Sequence, residues 1–384
     1  MKLRLTFPIV VFLMLLTVAL STGSQLFLLL SVLVALTVVW SVAGVLWASA
    51  TLRVSGDLPG NTVQRGEDLE LSLRMRHNGW IPVAPLLLEF SDPSGKSGRD
   101  IRLRNSPGRI QTLKLPIHAA HVGVFSVGLH ACTVEDLLGI ASRRIPLDET
   151  SFSLTVLPRT FPVESLTLAP GDPGSEIMAR ATEDLNAPSD FRNYQPGDAM
   201  KKIHWKLSLR KGELMVRTFE EPILQDVLIL MDCSRPPSWG HPQAEADIRD
   251  SLLETSASVL AAQAVTDHQV RLPLPGTNPV DVDKRMGLPI ALDYLARVDF
   301  SETDRFEREL MMESRRLRKV GCVVVISARL NFPMVDVMIR MHRVGPNIRL
   351  YLVTFAPEDG DVLPLISRLR QSGIEVSCII PEPG

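Results

Sequence analysis

From Leu5 to Leu52 the chain carries no charged residue. As one helix that stretch would run to about 70 Å, against a bilayer hydrocarbon core about 30 Å thick. It must therefore turn back on itself. Ser21-Thr22-Gly23-Ser24-Gln25 is the polar, glycine-bearing place to do so. The expectation is a transmembrane α-hairpin, about Leu5 to Leu20 and about Leu26 to Trp47, meeting the lipid bilayer through residues 5–47. Trp40 and Trp47 suit the interfacial end of the second arm. Lys2, Arg4 and Arg53 flank the hairpin and its tip carries no charge. The positive-inside rule then puts both ends in the cytoplasm, so a multi-pass cell-membrane protein with cytoplasmic soluble domains is expected. The competing reading takes residues 2–24 as a signal peptide, with Ala19-Leu20-Ser21 as a loose cleavage site. The second apolar run would then still anchor the chain, with the soluble part outside.

The full 384 residues exceed what one ordinary domain needs. The expected division is two membrane helices in 1–50, a β-sandwich over 51–160, a linker over 161–190 and an α/β domain over 191–384. Lys and Arg number 41 against 43 Asp and Glu. A nucleic-acid binder would show a basic excess or stripe, so none is expected as partner. Cys132, Cys233, Cys322 and Cys378 form no C-x-x-C pair. They read as buried free thiols in a reducing compartment.

Residues 52–160 read as β structure. Val63, Leu69, Leu71, Leu73 and Met75 stand at the period-2 spacing of half-buried strands. Gly66-Glu67-Asp68 and His77-Asn78-Gly79 mark turns. Short strands follow around Pro85–Phe90, 109–117, Gly123–Leu129 and Phe152–Leu157. This spacing suggests a sandwich of immunoglobulin-like type. His118, His121 and His130 lack a carboxylate pattern and read as surface or cross-strand histidines rather than metal ligands.

Residues 161–190 are rich in Pro, Gly, Ser and acidic residues, as a linker is. The stretch from Asp190 to Arg217 is the most unusual in the chain. Pro196-Gly197-Asp198 is a turn, with Asp198 suited to cap a following helix. Ile203, Trp205, Leu207 and Leu209 are candidates for a buried face, with Trp205 as a core anchor. Lys201, Lys202, Lys206, Arg210, Lys211 and Arg217 make the stretch locally basic. It is open to reading as a solvated face, or as a docking surface for an acidic partner or an anionic leaflet.

Arg192, Tyr194, Gly197 and Asp198, then Ile203 and Trp205, then Ser208, Arg210 and Glu220 resemble the signature of the family called domain of unknown function 58. The upstream runs Val122-Gly123-Val124-Phe125 and Glu135-Asp136-Leu137-Leu138-Gly139 also resemble it, the second lacking the family's proline. The resemblance, with the hairpin, covers almost the whole chain. It implies a prokaryotic protein with a von Willebrand factor type A-like domain at the C-terminus and a MoxR-type AAA+ ATPase as partner.

Read on its own, the C-terminal part alternates strand and helix. Asp226–Met231 and Cys322–Ser327 are near-continuous apolar runs, suited to strands buried on both faces. Helical spacing marks 245–266, Pro289–Ala296, 305–318, Met334–His342 and Val362–Gln371. Further strands fall at 268–272, Ile348–Phe355 and Ile374–Ile380. A largely parallel, Rossmann-like sheet is expected, with ligands at the carboxyl ends of its strands. Asp232-Cys233-Ser234-Arg235-Pro236 falls at that edge. The von Willebrand A domains hold a hard cation there through Asp-x-Ser-x-Ser. Asp232 and Ser234 match. Pro236 replaces the second serine and Ala328 stands where the resemblance calls for an aspartate. A Mg²⁺ site short of this many oxygens is severely weakened, so no cofactor is expected, with weak Mg²⁺ at Asp232 and Ser234 as the alternative.

No P-loop, nucleophile elbow or H-E-x-x-H occurs, so no catalytic residues and no enzyme activity are expected. Adding the resemblance, the leading expectation is a membrane-anchored scaffold or adaptor for protein–protein interaction with a MoxR-type ATPase. The alternative is an extracytoplasmic, metal-dependent ligand-binding or adhesion module.

Overall fold

The structure is a computed structural model. It describes residues 2–4, 6–78, 83–91, 99–105, 110–136, 138–145, 147, 150–163, 190–196, 198, 200, 203–218, 226–237, 242–264, 270–274, 280–282, 287–300, 306–314, 317 and 320–383. The chain divides into two compact units, Met1–Leu157 and Pro158–Gly384.

The first unit opens with β1 (Lys2–Leu3), then helices α1 (Thr6–Thr22) and α2 (Gln25–Thr51), which pack on each other. Gly23 makes the turn between them at φ 65°, its N–H donating to the Ala19 carbonyl at 2.9 Å. A residue with a side chain is disfavoured there by the left-handed backbone. The 27-residue α2 is long and apolar enough to cross a membrane, and only 11% of its most apolar stretch is buried. A core helix would bury more. The 17-residue α1 is apolar but shorter.

The rest of the unit is strand: β2 (Leu52–Asp57), β3 (Thr62–Gln64), β4 (Asp68–His77), β5 (Val83–Ser91), β6 (Arg99–Asn105), β7 (Ile110–His118), β8 (Gly123–Glu135), β9 (Ala141–Ile145) and β10 (Ser151–Leu157). One sheet runs β2-β4-β7; the other runs β1-β9-β8-β10-β3, with β5 on β8 and β6 on β5. Alternate residues of both sheets form one apolar cluster, including Leu71, Leu73 and Met75 of β4, Leu86, Leu88 and Phe90 of β5, and Val127, Leu129 and Val134 of β8. Period-2 alternation with one face buried produces this. The cluster also takes Ala48 from the last turn of α2 and Leu52. No linker separates the apolar helix from the domain, because β2 begins at the residue after α2 ends.

After residues 158–163, the first secondary structure described in the second unit is a hairpin of β11 (Asp190–Asn193) and β12 (Met215–Thr218), flanking helix α3 (Trp205–Lys211). Then come β13 (Asp226–Met231), α4 (Pro242–Ala264), β14 (Val270–Leu272), β15 (Val280–Val282), α5 (Leu288–Ala296), α6 (Phe306–Glu313), β16 (Val320–Ser327), α7 (Phe332–Val344), β17 (Asn347–Val353), α8 (Leu363–Gln371) and β18 (Glu375–Ile379). Their sheet has the order β15-β14-β13-β16-β17-β18, parallel throughout except for β15. Every residue of β16 is buried, as a strand covered on both faces requires. Leu228, Val323, Val325, Leu350, Met338 and Leu369 belong to one core cluster. From β13 the chain builds outward first through β14 and then through β16. The carboxyl ends of β13 and β16 therefore flank the switch point, where sheets of this kind form their crevice.

Most of the linker expected at 161–190 lies outside the described residues. Its start is held: the Phe161 N–H donates to Ser258 Oγ at 2.9 Å, on α4. Of the three histidines, His118 sits 2.8 Å from Asp68 through Nδ1, so a carboxylate partner exists across the strand pair. His130 is the extra residue where the β5–β8 register shifts, and it faces solvent. Cys132, Cys233 and Cys322 are buried; Cys378 is exposed, against the expectation.

Candidate functional site

The hairpin of β11 and β12 is built by residues that a sequence reader meets as a motif. Arg192 sends both guanidinium nitrogens to Asp198, at 2.9 and 2.7 Å. This planar two-point contact is specific to arginine. Asp198 Oδ2 also accepts from the Gln195 N–H at 2.9 Å. Asp198 thus closes its own turn and does not cap α3 as expected. The cap is His204: its Nδ1 accepts from the Leu207 N–H at 3.1 Å, leaving the proton on Nε2. Ser208 is buried; its hydroxyl donates to the His204 carbonyl at 3.1 Å and accepts from the Met215 N–H at 2.8 Å. Ile203 is buried and bridges Val216. The Tyr194 N–H donates to the Leu214 carbonyl at 2.8 Å. Gly212 ends α3 at φ 73°, the left-handed cap that glycine favours.

Trp205 and Leu209 depart from the expectation of a buried face. They are 57% and 84% exposed. The physical reason is period. Ile203, Trp205, Leu207 and Leu209 alternate as on a strand, but the segment is helical, so Trp205 and Leu209 share one outward row. Lys206 and Arg210, also four apart, form the row beside it and are exposed. Met200 and Leu214 are exposed as well. Gly197 and Glu220 of the motif, with Lys201 and Lys202, lie outside the described residues.

At the strand-end crevice, Asp232 is buried and fully engaged. Oδ1 accepts from the Ser234 N–H at 3.0 Å and from the Ser234 hydroxyl. Oδ2 stands 2.8 Å from the hydroxyl of Ser327, the last residue of β16. The Ser327 Oγ accepts from the Arg329 N–H at 3.0 Å, and the Arg329 guanidinium donates to the Arg235 carbonyl. One carboxylate and two inward-donating hydroxyls fall short of the six or more oxygens a hard cation takes. Pro236 and Ala328 add no ligand. The set fits a brace between strand ends better than a Mg²⁺ site. Among the described residues, no three His, Cys, Asp or Glu side chains stand as a metal-holding group. Gly287 stands at the N-cap of α5 and Pro289 in its first turn.

Two titratable groups stand beside this crevice, and only the first, Glu309, had no signal in the sequence. Glu309 of α6 is held above the ordinary carboxylate range by burial and then by the Asp232 charge. It lines a cavity of about 180 Å³ with Leu230, Met231, Leu274, Phe306 and Met312. The Cys233 thiol is pushed far up by burial, then by Glu309 and Asp232, so its thiolate, the nucleophilic form, is suppressed. Elsewhere in this unit Arg159 pairs with Glu254 and Glu382, each at 3.0 Å, beside a cavity of about 420 Å³.

The motif hairpin, α3 and the elements to the end of α7 are the part of the chain that is similar to a known family. Residues 190–344 match the family model described as Protein of unknown function DUF58. The match begins at the first residue of β11 and ends at the last of α7, so the matched segment takes in both the exposed Trp205 row and the Asp232 crevice. The uncharacterized protein YeaD of Bacillus subtilis is 22% identical over 225 residues, covering 56% of this chain and 54% of that protein. This chain thus spans about half the length of the curated relative it matches. Solved structures give only weak likeness. The CARDB domain of a Pyrococcus furiosus protein with di-metal ions has a TM-score of 0.21 at 15% identity, over 28% of this chain and 87% of that one. Sporulation control protein Spo0M of Bacillus subtilis has 0.16 at 14% identity, over 38% and 58%. Scores this low carry no argument about the fold.

Proposed function

We propose that this chain is a membrane-anchored, non-enzymatic scaffold or adaptor, and that its DUF58 segment docks an acidic surface of a MoxR-type AAA+ ATPase. The exposed row of Trp205 and Leu209 beside Lys206 and Arg210 carries the reading. Arg192, Asp198, Ser208 and Gly212 hold the hairpin from within, while its largest aromatic side chain is left outside. Tryptophan and arginine are the residues that dominate interface energetics, and the basic row suits an acidic partner. The two apolar helices support anchoring as a two-span hairpin with the soluble units on the cytoplasmic side. The shared core of two sheets supports an immunoglobulin-like sandwich, and the largely parallel sheet supports a von Willebrand A-like domain whose cation chemistry is lost at Pro236 and Ala328. His204 Nδ1 is occupied by a backbone N–H and the Cys233 thiol is held protonated, which supports a non-catalytic role.

The test is co-purification of the detergent-solubilised full chain with a MoxR-type ATPase encoded by the same organism. Wild type should retain the ATPase, and Trp205→Ser with Leu209→Ser should release it at unchanged thermal stability. An ATPase that never co-purifies removes the partner; retention by the double variant moves the docking surface elsewhere.

A further inference from the structure

The turn between β8 and β9 stands against the apolar helix α2 well before that helix ends. Ser41 is buried, and its hydroxyl donates to Asp136 Oδ2 at 2.6 Å. Asp136 shapes the turn: the same Oδ2 accepts from the Leu138 N–H at 3.2 Å, and its carbonyl accepts from the Gly139 N–H at 3.0 Å. Gly139 sits at φ 67°. Leu138, at the tip, is 67% exposed. β1 pairs with β9 on the far side of the turn, and the Arg4 N–H donates to the Ile140 carbonyl at 2.8 Å. α1 begins two residues later, at Thr6. The turn therefore lies where one apolar helix starts and the other enters the domain.

Depth follows from the helix rise. From Gln25 to Ser41, α2 rises about 24 Å, most of a hydrocarbon core about 30 Å thick. Ser41 stands ten residues before Thr51, about 15 Å back along the axis. Val45 and Ala48, beyond it, are buried against the domain. The turn is thus held at the level of the headgroups. Arg4 and Arg143 are exposed beside it. Cations next to an apolar tip match the anionic headgroup layer.

We propose that the β8–β9 turn is a second membrane contact: Leu138 inserts between headgroups and acyl chains, and Arg4 and Arg143 face lipid phosphates. This rests on the anchoring of α1 and α2 in a bilayer. The test uses the full chain in phosphatidylcholine–phosphatidylglycerol nanodiscs. Cys378→Ser removes the exposed native thiol, the other three being buried. A single cysteine is then placed at Leu138, at Leu36 on α2, or at Glu67, and labelled with a polarity-sensitive dye. β4 runs from Asp68 to His77, and His77 pairs with Leu52, so Glu67 marks the end of the domain away from the helices. The expected result is blue-shifted emission at Leu138 relative to Glu67, quenched by a nitroxide placed high on the acyl chain. Arg143→Gln should reduce that quenching. Quenching at Leu36 with Leu138 behaving as Glu67 would overturn the contact alone. No quenching at Leu36 would overturn the anchor and the contact together.

Discussion

Asp232 Oδ2 and the Ser327 hydroxyl stand 2.8 Å apart, tying the carboxyl end of β13 to that of β16. Asp232→Ala leaves the Ser234 N–H and hydroxyl buried without their acceptor, and turns the Ser327 hydroxyl to the Arg329 carbonyl, 2.9 Å away. The expected loss is about 2–3 kcal/mol of stability, read from urea unfolding of the detergent-solubilised protein. Amide exchange should quicken first at the ends of β13 and β16. Because the carboxylate is a brace, millimolar Mg²⁺ should leave the unfolding midpoint of the wild type in place; a rise would restore the cation site.

Arg192→Lys should separate construction from docking. Lysine cannot reproduce the two-point contact with Asp198. The contact is partly exposed, so the cost is small, about 1 kcal/mol. Limited proteolysis should cut the 193–200 turn faster. Trp205→Ser should leave that cleavage rate unchanged while weakening partner retention.

Gly128 and Gly139 both have positive φ but predict different losses. A Cβ at Gly128 would meet the Thr150 carbonyl oxygen at 2.0 Å, which is backbone and cannot step aside. Gly128→Ala should cost about 3 kcal/mol or more. At Gly139 nothing lies within 4 Å, so Gly139→Ala pays only for its backbone conformation, about 1 kcal/mol. Thermal melts of the two variants should differ accordingly.

His77 makes the first unit sensitive to acid. It is buried, and burial lowers its pKa from the ordinary 6.5. The Thr51 hydroxyl lies 2.9 Å from the Trp47 carbonyl and 3.1 Å from His77 Nε2. With Thr51 donating to that carbonyl, His77 Nε2–H donates to Thr51 and Nδ1 stays bare. Between the folded and unfolded pKa the unfolded chain binds the extra proton, so stability rises with pH there. The contribution is complete above about 6.5 and lost as pH falls toward the folded value. Unfolding midpoints measured from pH 7.5 downward should drop, and His77→Gln should flatten the drop.

The parts legible in the sequence were those carried by composition and period. The apolar runs of β13 and β16, the alternation along β4 and the uncharged length of α2 each follow from one-dimensional pattern. The exposure of Trp205 is not legible in the sequence, because four alternating apolar residues fit a strand as well as a short helix. The role of Asp198 is not legible either: an aspartate after Pro-Gly suits a cap, and only the fold brings Arg192 to it. Ser327, Glu309 and the pairing of Ser41 with Asp136 depend on contacts far apart in the chain, for which a single sequence holds no signal.

Ala48 and Leu52 complete the apolar cluster between the two sheets. A truncation that removes the hydrophobic N-terminus to gain solubility, cut at Arg53, would therefore open a hole in the domain it meant to isolate. During synthesis the same residues must wait for β4, β5 and β8 to emerge before they are covered. The two sheets can close only against a helix already formed, which sets the order of events: α2 first, folding of the β unit second.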